Sequence, residues 1–355
     1  MLSIIIPTLN EKDTILTTIK EIKKNIKGIT HEILVIDDNS PDKTWEVVNK
    51  AKIQNTKSIR RLRGKSLSSA VMLGFERAKY KNLLVMDADG QHDPKIIKEM
   101  LKEIPKNDFV TGSRFIKGGS VEGWPKKRIL MSKTAAMLAK PILNTKVKDP
   151  MSGFFMTNKK IFKEVKPRLS GKGYKIFLEM IFEYEQKRKK AKIAEVPYTF
   201  RTRKKGESKL GFNVLKAYGL MLLKFAIKKY KKIIKFLTVG LFGVIVNTGI
   251  LWILTELAGV HYLISGIIAT QTAIIHNFLL NNSWTWNGKN KKHSYLKRLI
   301  SFNTVSLIGL GITVSTLWFL TDIIGIYYII SNLIGIALAT TWNFIANDKI
   351  TFKQK

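Results

Sequence analysis

Residues 82–94 read NLLVMDADGQHDP. Residues 83–86 are a short apolar run of the kind that fills a buried strand, and the run ends on Asp87, Ala88 and Asp89. Gly90, Gln91, His92, Asp93 and Pro94 follow. A strand ending in clustered carboxylates places them at the C-terminal edge of a sheet, where open α/β sheets bind ligands. Carboxylate and amide oxygens are hard donors, suited to Mg²⁺ or Mn²⁺ rather than to soft metals. A cation held by only one or two protein groups keeps positions for a substrate's phosphates. A solvated Asp-Gly turn before a Pro-started helix would use the same residues with no ligand, so the other strand ends must decide.

Residues 2–6 are apolar and β-branched, Pro7 stops them, and Thr8, Leu9, Asn10 and Glu11 form a loop. Residues 32–36 read as a second buried strand ending in Asp37-Asp38-Asn39-Ser40-Pro41-Asp42. Helical patterns at 15–24, 43–52, 68–79 and 94–104 alternate with these strands, with one at 59–62 and with one at 109–111 that leads into Gly112-Ser113-Arg114. Strands alternating with helices predict a parallel sheet with right-handed crossovers. Residues 7–11, 37–42 and 87–91 thus make polar clusters at three strand ends. Carboxylates at successive ends repel one another and gain a structural protein nothing. A nucleotide site uses them, one for ribose or base and another for a metal.

The chain has 355 residues, enough for about two domains. It has no cysteine, which excludes disulfides and thiolate metal sites. The net charge of +35, from 61 Lys and Arg against 26 Asp and Glu, favours phosphate-bearing partners. No nucleic-acid motif is present and the C-terminal third is membrane-like, so nucleotide and membrane lipid are the expected partners, not nucleic acid. No basic leader precedes the first strand, so the N-terminal half is expected in the cytoplasm.

The segments IIIPTLNE (4–11), VIDDNSPDKT (35–44), MDADGQHDP (86–94), GSRF (112–115) and KDPMSGFF (148–155) occur in that order. Together they resemble the family 2 glycosyltransferases of GT-A, Rossmann-like fold, and among these the dolichol-phosphate mannose synthases and their polyprenyl-phosphate relatives. The resemblance covers residues 2–209. It implies that Pro7, Leu9, Glu11, Ile36, Asp37, Asp87 and Ala88 line a nucleotide-sugar pocket. Asp89 and Gln91 would hold a divalent Mg²⁺ or Mn²⁺. Arg114, Arg128 and Ser132 would meet an acceptor phosphate. Asp149 stands where relatives keep a general base, so the implied catalytic set is Asp89, Arg114, Arg128 and Asp149. Arg201, Arg203, Ser208 and Lys209 match a basic segment that closes over the diphosphate, with Arg114, Arg201 and Lys209 counted in the donor site. Two departures stand out: Gln91 where the family often has Asp, and Lys65-Ser66-Leu67-Ser68 where relatives have a Gly-rich step.

The implied reaction is metal-dependent, inverting transfer of mannose from GDP-mannose to dolichyl or another polyprenyl phosphate at the cytoplasmic membrane face. UDP-glucose as donor is the enzymatic alternative, and a flippase module for lipid-linked sugars is the alternative of a different class. The Gln-x-x-Arg-Trp motif of processive synthases is absent.

Residues 210–235 mix apolar groups with Lys216, Lys224, Lys228, Lys229, Lys231 and Lys232, a basic amphipathic pattern suited to the membrane interface. Four apolar stretches follow, at about 236–257, 262–280, 299–320 and 323–346, each near the roughly 20 residues that span a bilayer. The loop 287–298 and the tail 349–355 are basic, whereas the turns 258–261 and 322–325 carry no Lys or Arg. Positive-inside then puts both termini and residues 1–209 in the cytoplasm. Shifted by 66 residues, 236–285 lies on 302–351 without a gap and with 19 of 50 positions identical. Leu251-Trp252, Asn277-Phe278 and Asn281 recur as Leu317-Trp318, Asn343-Phe344 and Asn347. Two spans per unit make this a parallel repeat, and the half resembles GtrA-like membrane domains. Residues 236–355 are thus expected to form an all-α domain of two two-helix repeats, with the Asn residues capping helix ends or bonding between helices.

Overall fold

The β-branched runs at residues 2–6 and 32–36 and the run at 83–86 become neighbouring strands. The structure is a computed structural model that describes residues 1–63, 66–188, 190–202, 212–287 and 292–353. It divides into two units, Met1–Ala226 and Ile227–Lys355. In the first unit the strands are β1 (Leu2–Thr8), β2 (His31–Asp37), β3 (Thr56–Arg60), β4 (Asn82–Val85), β5 (Phe109–Ser113), β6 (Ser120–Val121), β7 (Phe155–Asn158), β8 (Ile193–Pro197) and β9 (Thr199–Phe200). Seven form one sheet in the order β3-β2-β1-β4-β7-β5-β8, while β6 and β9 pair separately. Thr8 lies opposite Asp37 and Ile5 opposite Val85, so the polar loops after β1, β2 and β4 meet at one edge.

The sheet is mixed, not parallel as the alternation predicted. β7 runs antiparallel to both β4 and β5. Its preceding turn, Asp149–Gly153, lies beside Arg114 and Asp87, which are themselves at strand ends. A strand that leaves this edge must run backwards, and the reversal adds a fourth loop to the site.

The helices are α1 (Ile15–Asn25), α2 (Thr44–Lys50), α3 (Leu67–Arg77), α4 (Ile97–Glu103), α5 (Lys126–Ala139), α6 (Lys159–Val165), α7 (Ile176–Arg188) and α8 (Phe212–Lys229). One face of the sheet packs on α3 and α7 around Phe75, Phe155 and Phe177; the other packs on α1 and α4 around Ile19, Ile97 and Met100. From Ile176 to Glu185 every residue of α7 is buried. Its carboxylates are satisfied: Glu179 accepts from Ser170 N at 2.7 Å and Glu183 pairs with Arg168 at 3.2 Å. On α8, Phe225 stacks on Phe182 at 4.2 Å and Tyr218 donates to Ala135 O at 2.6 Å.

The second unit holds α9 (Lys231–Trp252), α10 (Tyr262–Leu280), α11 (Tyr295–Trp318) and α12 (Tyr328–Ala346). With the π-helical turns at their ends, these make four apolar helices of 27, 24, 29 and 24 residues, long enough to cross a bilayer. The chain is an integral membrane protein. The first and third helices start upstream of the apolar stretches read from sequence, because Lys231, Lys232, Lys297 and Arg298 continue the helix. The 66-residue repeat is structural as well as sequential. The π-turn Ile253–Leu257 recurs at Phe319–Ile323, and Asn281–Thr285 recurs at Asn347–Thr351. One aromatic cluster joins the equivalent pairs Phe236/Phe302, Phe278/Phe344 and Trp286/Phe352, and the last pair stacks at 4.6 Å. Within each hairpin an Asn side chain fills the notch over a Gly, Asn277 on Gly243 and Asn343 on Gly309.

A Cβ on Gly243 would stand 2.3 Å from Asn277 Nδ2, and one on Gly309 would stand 2.6 Å from Asn343 Oδ1, whereas Gly240 and Gly311 face open space. Gly243→Ala and Gly309→Ala should each lower stability by about 1–3 kcal/mol through overpacking. Gly240→Ala and Gly311→Ala should leave it unchanged. Thermal unfolding of the four variants in detergent checks the pattern.

Candidate active site

Three strand-end turns pass through the left-handed region, at Asn10 (φ 61°), Asn39 (φ 57°) and Gly90 (φ 73°). Asn and Gly tolerate that conformation where most side chains do not. Asp37 then organises the first two turns. Fully buried, it accepts from Thr8 Oγ1 at 3.0 Å, Ser40 N at 2.8 Å and Ser40 Oγ at 2.6 Å. Ser40 Oγ accepts from Asn10 N, Thr44 Oγ1 from Glu11 N and Asp42 Oδ2 from Lys12 N, each at 3.0 Å. Burial pushes the Asp42 pKa up, but the bonds from Thr44 and Lys12 outweigh it and hold the carboxyl below its usual range. The segment 37–44 is therefore a latch that fixes residues 9–12.

The fixed loop borders a cleft of 570 Å³, within the range of about 300–1,000 Å³ usual for ligand sites. Pro7, Leu9, Glu11, Asp87, Ala88, Asp89 and Gln91 all line it. Ile36 and Asp37 do not: both are fully buried. Asp38 lines it instead, paired with Arg61 at 3.2 Å. Strand alternation contained that signal, since neighbouring residues of a strand face opposite ways. Sequence reasoning also missed Thr8, Ser66, Trp124 and Tyr174 on the cleft wall.

A divalent metal fits one corner of this cleft. Asp89 is 6% exposed and accepts from Gln91 N at 3.1 Å. Gln91 Nε2 donates to Arg201 O at 3.0 Å, which leaves the amide oxygen as the end turned to the cleft. The donors are hard oxygens. Among the described residues no group of three or more His, Asp or Glu converges on a metal position, so a cation here would draw its remaining ligands from phosphate and water.

A second cavity of 240 Å³ adjoins the first. The two share Leu67, Asp87, Trp124, Arg128 and Tyr174. The second is basic, with Arg114, Arg128 and Lys175 on its wall. Arg114 is gripped by Asp149, Nε at 2.7 Å from Oδ2 and Nη2 at 2.8 Å from Oδ1. Burial favours the neutral guanidine, but Asp149 overrides it and raises the Arg114 pKa. Glu195 accepts from Lys148 N at 2.9 Å and Asp149 N at 3.1 Å, so β8 fixes the turn that fixes the arginine. The Arg128 guanidinium lies 4.0 Å over Trp124. Beneath Asp87, His92 Nδ1 accepts from Asp87 N at 3.1 Å, and its ring stacks on Phe154 at 5.0 Å. The proton of a neutral His92 therefore sits on Nε2, 3.7 Å from Asp87 Oδ2.

Three sequence expectations change. Asp149 is fully buried, lines neither cavity and is bound to Arg114, so it is placed to hold an arginine. Ser132 is half-buried on α5 and lines neither cavity. The Arg201 side chain turns away, to Asp93 at 2.9 Å and Glu21 at 3.3 Å. Arg203, Ser208 and Lys209 lie outside the described residues, as does Lys65.

Comparison with known proteins gives three findings. Residues 3–166 match the glycosyl transferase family 2 domain, and residues 235–352 match the GtrA/DPMS transmembrane domain. A dolichol-phosphate mannosyltransferase of Pyrococcus furiosus is 38% identical over 359 residues, covering 99% of both chains. One of Saccharomyces cerevisiae is 37% identical over 204 residues, 56% of this chain and 76% of its own. Among solved structures, a glucosyl-3-phosphoglycerate synthase of Mycobacterium tuberculosis in complex with Mn²⁺, UDP and glucosyl-3-phosphoglycerate is 16% identical over 64% of this chain and 79% of its own, with a TM-score of 0.49.

Asp149→Ala would leave Arg114 buried without its carboxylate, at a cost of about 3–5 kcal/mol. The expected result is a melting temperature well below wild type. Asp149→Asn, which keeps the shape and one acceptor, should fall between the two in the same melt.

Proposed function

We propose that this chain, which belongs to the dolichol-phosphate mannosyltransferase family, moves mannose from GDP-mannose to the phosphate of dolichyl or a related polyprenyl phosphate. The observation that carries the reading is the pair of adjoining cavities with opposite charge. An acidic, oxygen-lined cleft suits a nucleotide diphosphate bridged by a cation, and a basic pocket suits a phosphate without one.

In this reading Leu9 and Glu11, held by the 37–44 latch, frame the nucleotide, with Asp38 beside them. Asp89 and Gln91 would hold Mg²⁺ or Mn²⁺, which when bound neutralises charge on the leaving diphosphate. Arg128 borders both cavities, so its guanidinium serves the incoming phosphate and the departing diphosphate alike. Arg114 is pre-oriented by Asp149 and needs no reorganisation when the acceptor arrives. Trp124 and Tyr174 wall both cavities.

The acceptor is a phosphomonoester with a second pKa of about 6, so it arrives as an anion. No strong base is required, which agrees with Asp149 bound to Arg114 and His92 turned to Asp87. One displacement at the anomeric carbon inverts it, so an α-linked donor yields the β-linked mannosyl phosphate lipid.

The catalytic unit belongs on the cytoplasmic side. Lys231, Lys232, Lys235, Lys292, Lys297, Arg298, Lys349 and Lys353 lie at one end of the four helices, while 258–261 and 324–327 at the other end carry no Lys or Arg. The positive-inside rule assigns the basic end, and the unit that precedes α9, to the cytoplasm.

The test is a transfer assay with the full chain in detergent, dolichyl phosphate and Mn²⁺, comparing labelled GDP-mannose with UDP-glucose. Label should enter the lipid phase from GDP-mannose alone; label from UDP-glucose alone would replace the donor. Asp89→Ala should abolish metal-dependent turnover without loss of fold, and unchanged turnover would remove the metal assignment. Arg128→Ala should raise the KM for lipid phosphate at least tenfold, the loss expected for one charged hydrogen bond of about 1.5 kcal/mol or more.

A further inference from the structure

Lys175 stands outside every assignment made so far. It immediately precedes α7, where its carbonyl accepts from Glu179 N at 3.1 Å, and it lines the basic cavity together with Ile176 and Phe177. We propose that Lys175 is a further catalytic residue of this site, the cation that meets the phosphomonoester of the acceptor. The assignment rests on the transfer reaction above and names a residue for its second substrate.

The charge balance of the cavity calls for it. Arg114 is already offset by Asp149 through two hydrogen bonds. Arg128 shares its wall with Asp87. These four groups leave no net charge for a dianion. Lys175 supplies the excess: its ammonium feels Asp87 and Asp149 without a hydrogen bond to either, and Arg114 opposes it. A lysine at a merely structural position would pair with a carboxylate or extend into water. This one lines a cavity.

The backbone points the same way. α7 has 13 residues, and its first N–H groups have no acceptor within the helix. Their dipoles favour an anion at that end, whose Lys175, Ile176 and Phe177 line the same cavity as Arg114 and Arg128. An incoming phosphate would therefore meet a lysine, an arginine held in place and a helix terminus.

The environment of Lys175 gives a readout that a packing role would not. Burial, then the Arg114 charge, holds its pKa below the ordinary lysine value. The groups around it are Arg114, Arg128, Asp87, His92, Tyr174 and Tyr198 on the cavity wall, with Asp149 behind Arg114. Burial holds Tyr198 protonated well above its usual range, so that phenol does not supply an alkaline limb. As pH rises, Lys175 loses its proton before an ordinary lysine would, and affinity for a dianion goes with it. The kcat/KM for the acceptor should therefore fall on the alkaline side, below about pH 10.4, the ordinary lysine value.

The experiment uses the full chain in detergent, with Lys175→Met, Lys175→Gln and Lys175→Arg beside wild type. Lys175→Met and Lys175→Gln should raise the KM for polyprenyl phosphate roughly 10- to 100-fold, the factor for one lost charge-assisted hydrogen bond, with the GDP-mannose KM unchanged. Lys175→Arg should recover most of the affinity and remove the alkaline limb. A rise in the GDP-mannose KM with an unchanged acceptor KM would overturn the assignment, as would wild-type behaviour in all three. Farnesyl phosphate binding, measured by calorimetry without donor, separates this inference from the donor reading. Binding that depends on Lys175 upholds the inference even if GDP-mannose proves the wrong donor. No farnesyl phosphate binding by wild type would overturn it.

Discussion

The buried pair between Arg114 and Asp149 is the interaction on which the site depends. It joins the end of β5 to the turn before β7, and Glu195 on β8 fixes that turn from the other side. Three strands are thereby locked at the edge where the cavities open. A buried ion pair is weak evidence for stability, because desolvation offsets most of its attraction, yet breaking one costs several kcal/mol. Its use here is to hold a guanidinium charged and aimed inside an apolar surround of Phe115, Trp124 and Phe200. A cation that needs no reorganisation is what a transferring phosphate requires.

The acidic residues divide between support and reaction by the same logic. Asp37, Asp42 and Asp149 are spent on protein donors and fix loops or an arginine. Asp38, Asp87 and Asp89 line the cleft. Adjacent carboxylates in one motif can thus have opposite roles. The choice is made by the side from which each leaves the strand and by how many N–H groups are waiting for it. His92 extends the arrangement: buried among Phe154, Tyr198 and Phe200, it holds Asp87 at the boundary between the two cavities.

Much of this was legible in the sequence, because it depends on short-range pattern. The ends of β1, β2 and β4 announce themselves as apolar runs closed by Pro or Asp, and seven cleft residues fall on them. The four spans and their repeat follow from hydropathy and identity alone. What was not legible depends on partners distant in the chain. Nothing near 155–158 says that β7 runs backwards, since the direction follows from where Asp149 must stand. The ion pair between Arg114 and Asp149 spans 35 residues, and without it Asp149 reads as a spare base. Arg201 reads as a phosphate ligand until Glu21 and Asp93 claim its side chain. Nothing in the sequence around Lys175 marks it out; the cavity it lines does.

The membrane unit shows how a duplicated element departs from symmetry. The repeat keeps each Gly–Asn notch and every member of the aromatic cluster except one: Trp286 in the first copy is Phe352 in the second. Trp286 Nε1 donates to Asp348 at 2.9 Å. The residue equivalent to Asp348 is Asn282. The first copy thus supplies the ring N–H and the second the carboxylate of this bond, and the equivalent residues Phe352 and Asn282 have neither group. Lys232 also pairs with Asp348, whereas its equivalent, Arg298, donates to the His293 carbonyl. All three differences lie at the basic end of the helices, while the opposite end keeps matched π-turns and serines, Ser265 on Val260 O and Ser331 on Ile326 O. Differences also occur within the spans: Asn247 donates to Thr270 where the second copy has Thr313 and Ile336, and Trp342 donates to Val305 O where the first copy has His276. The shared frame of Gly–Asn notches and aromatic rings holds while individual polar contacts diverge around it.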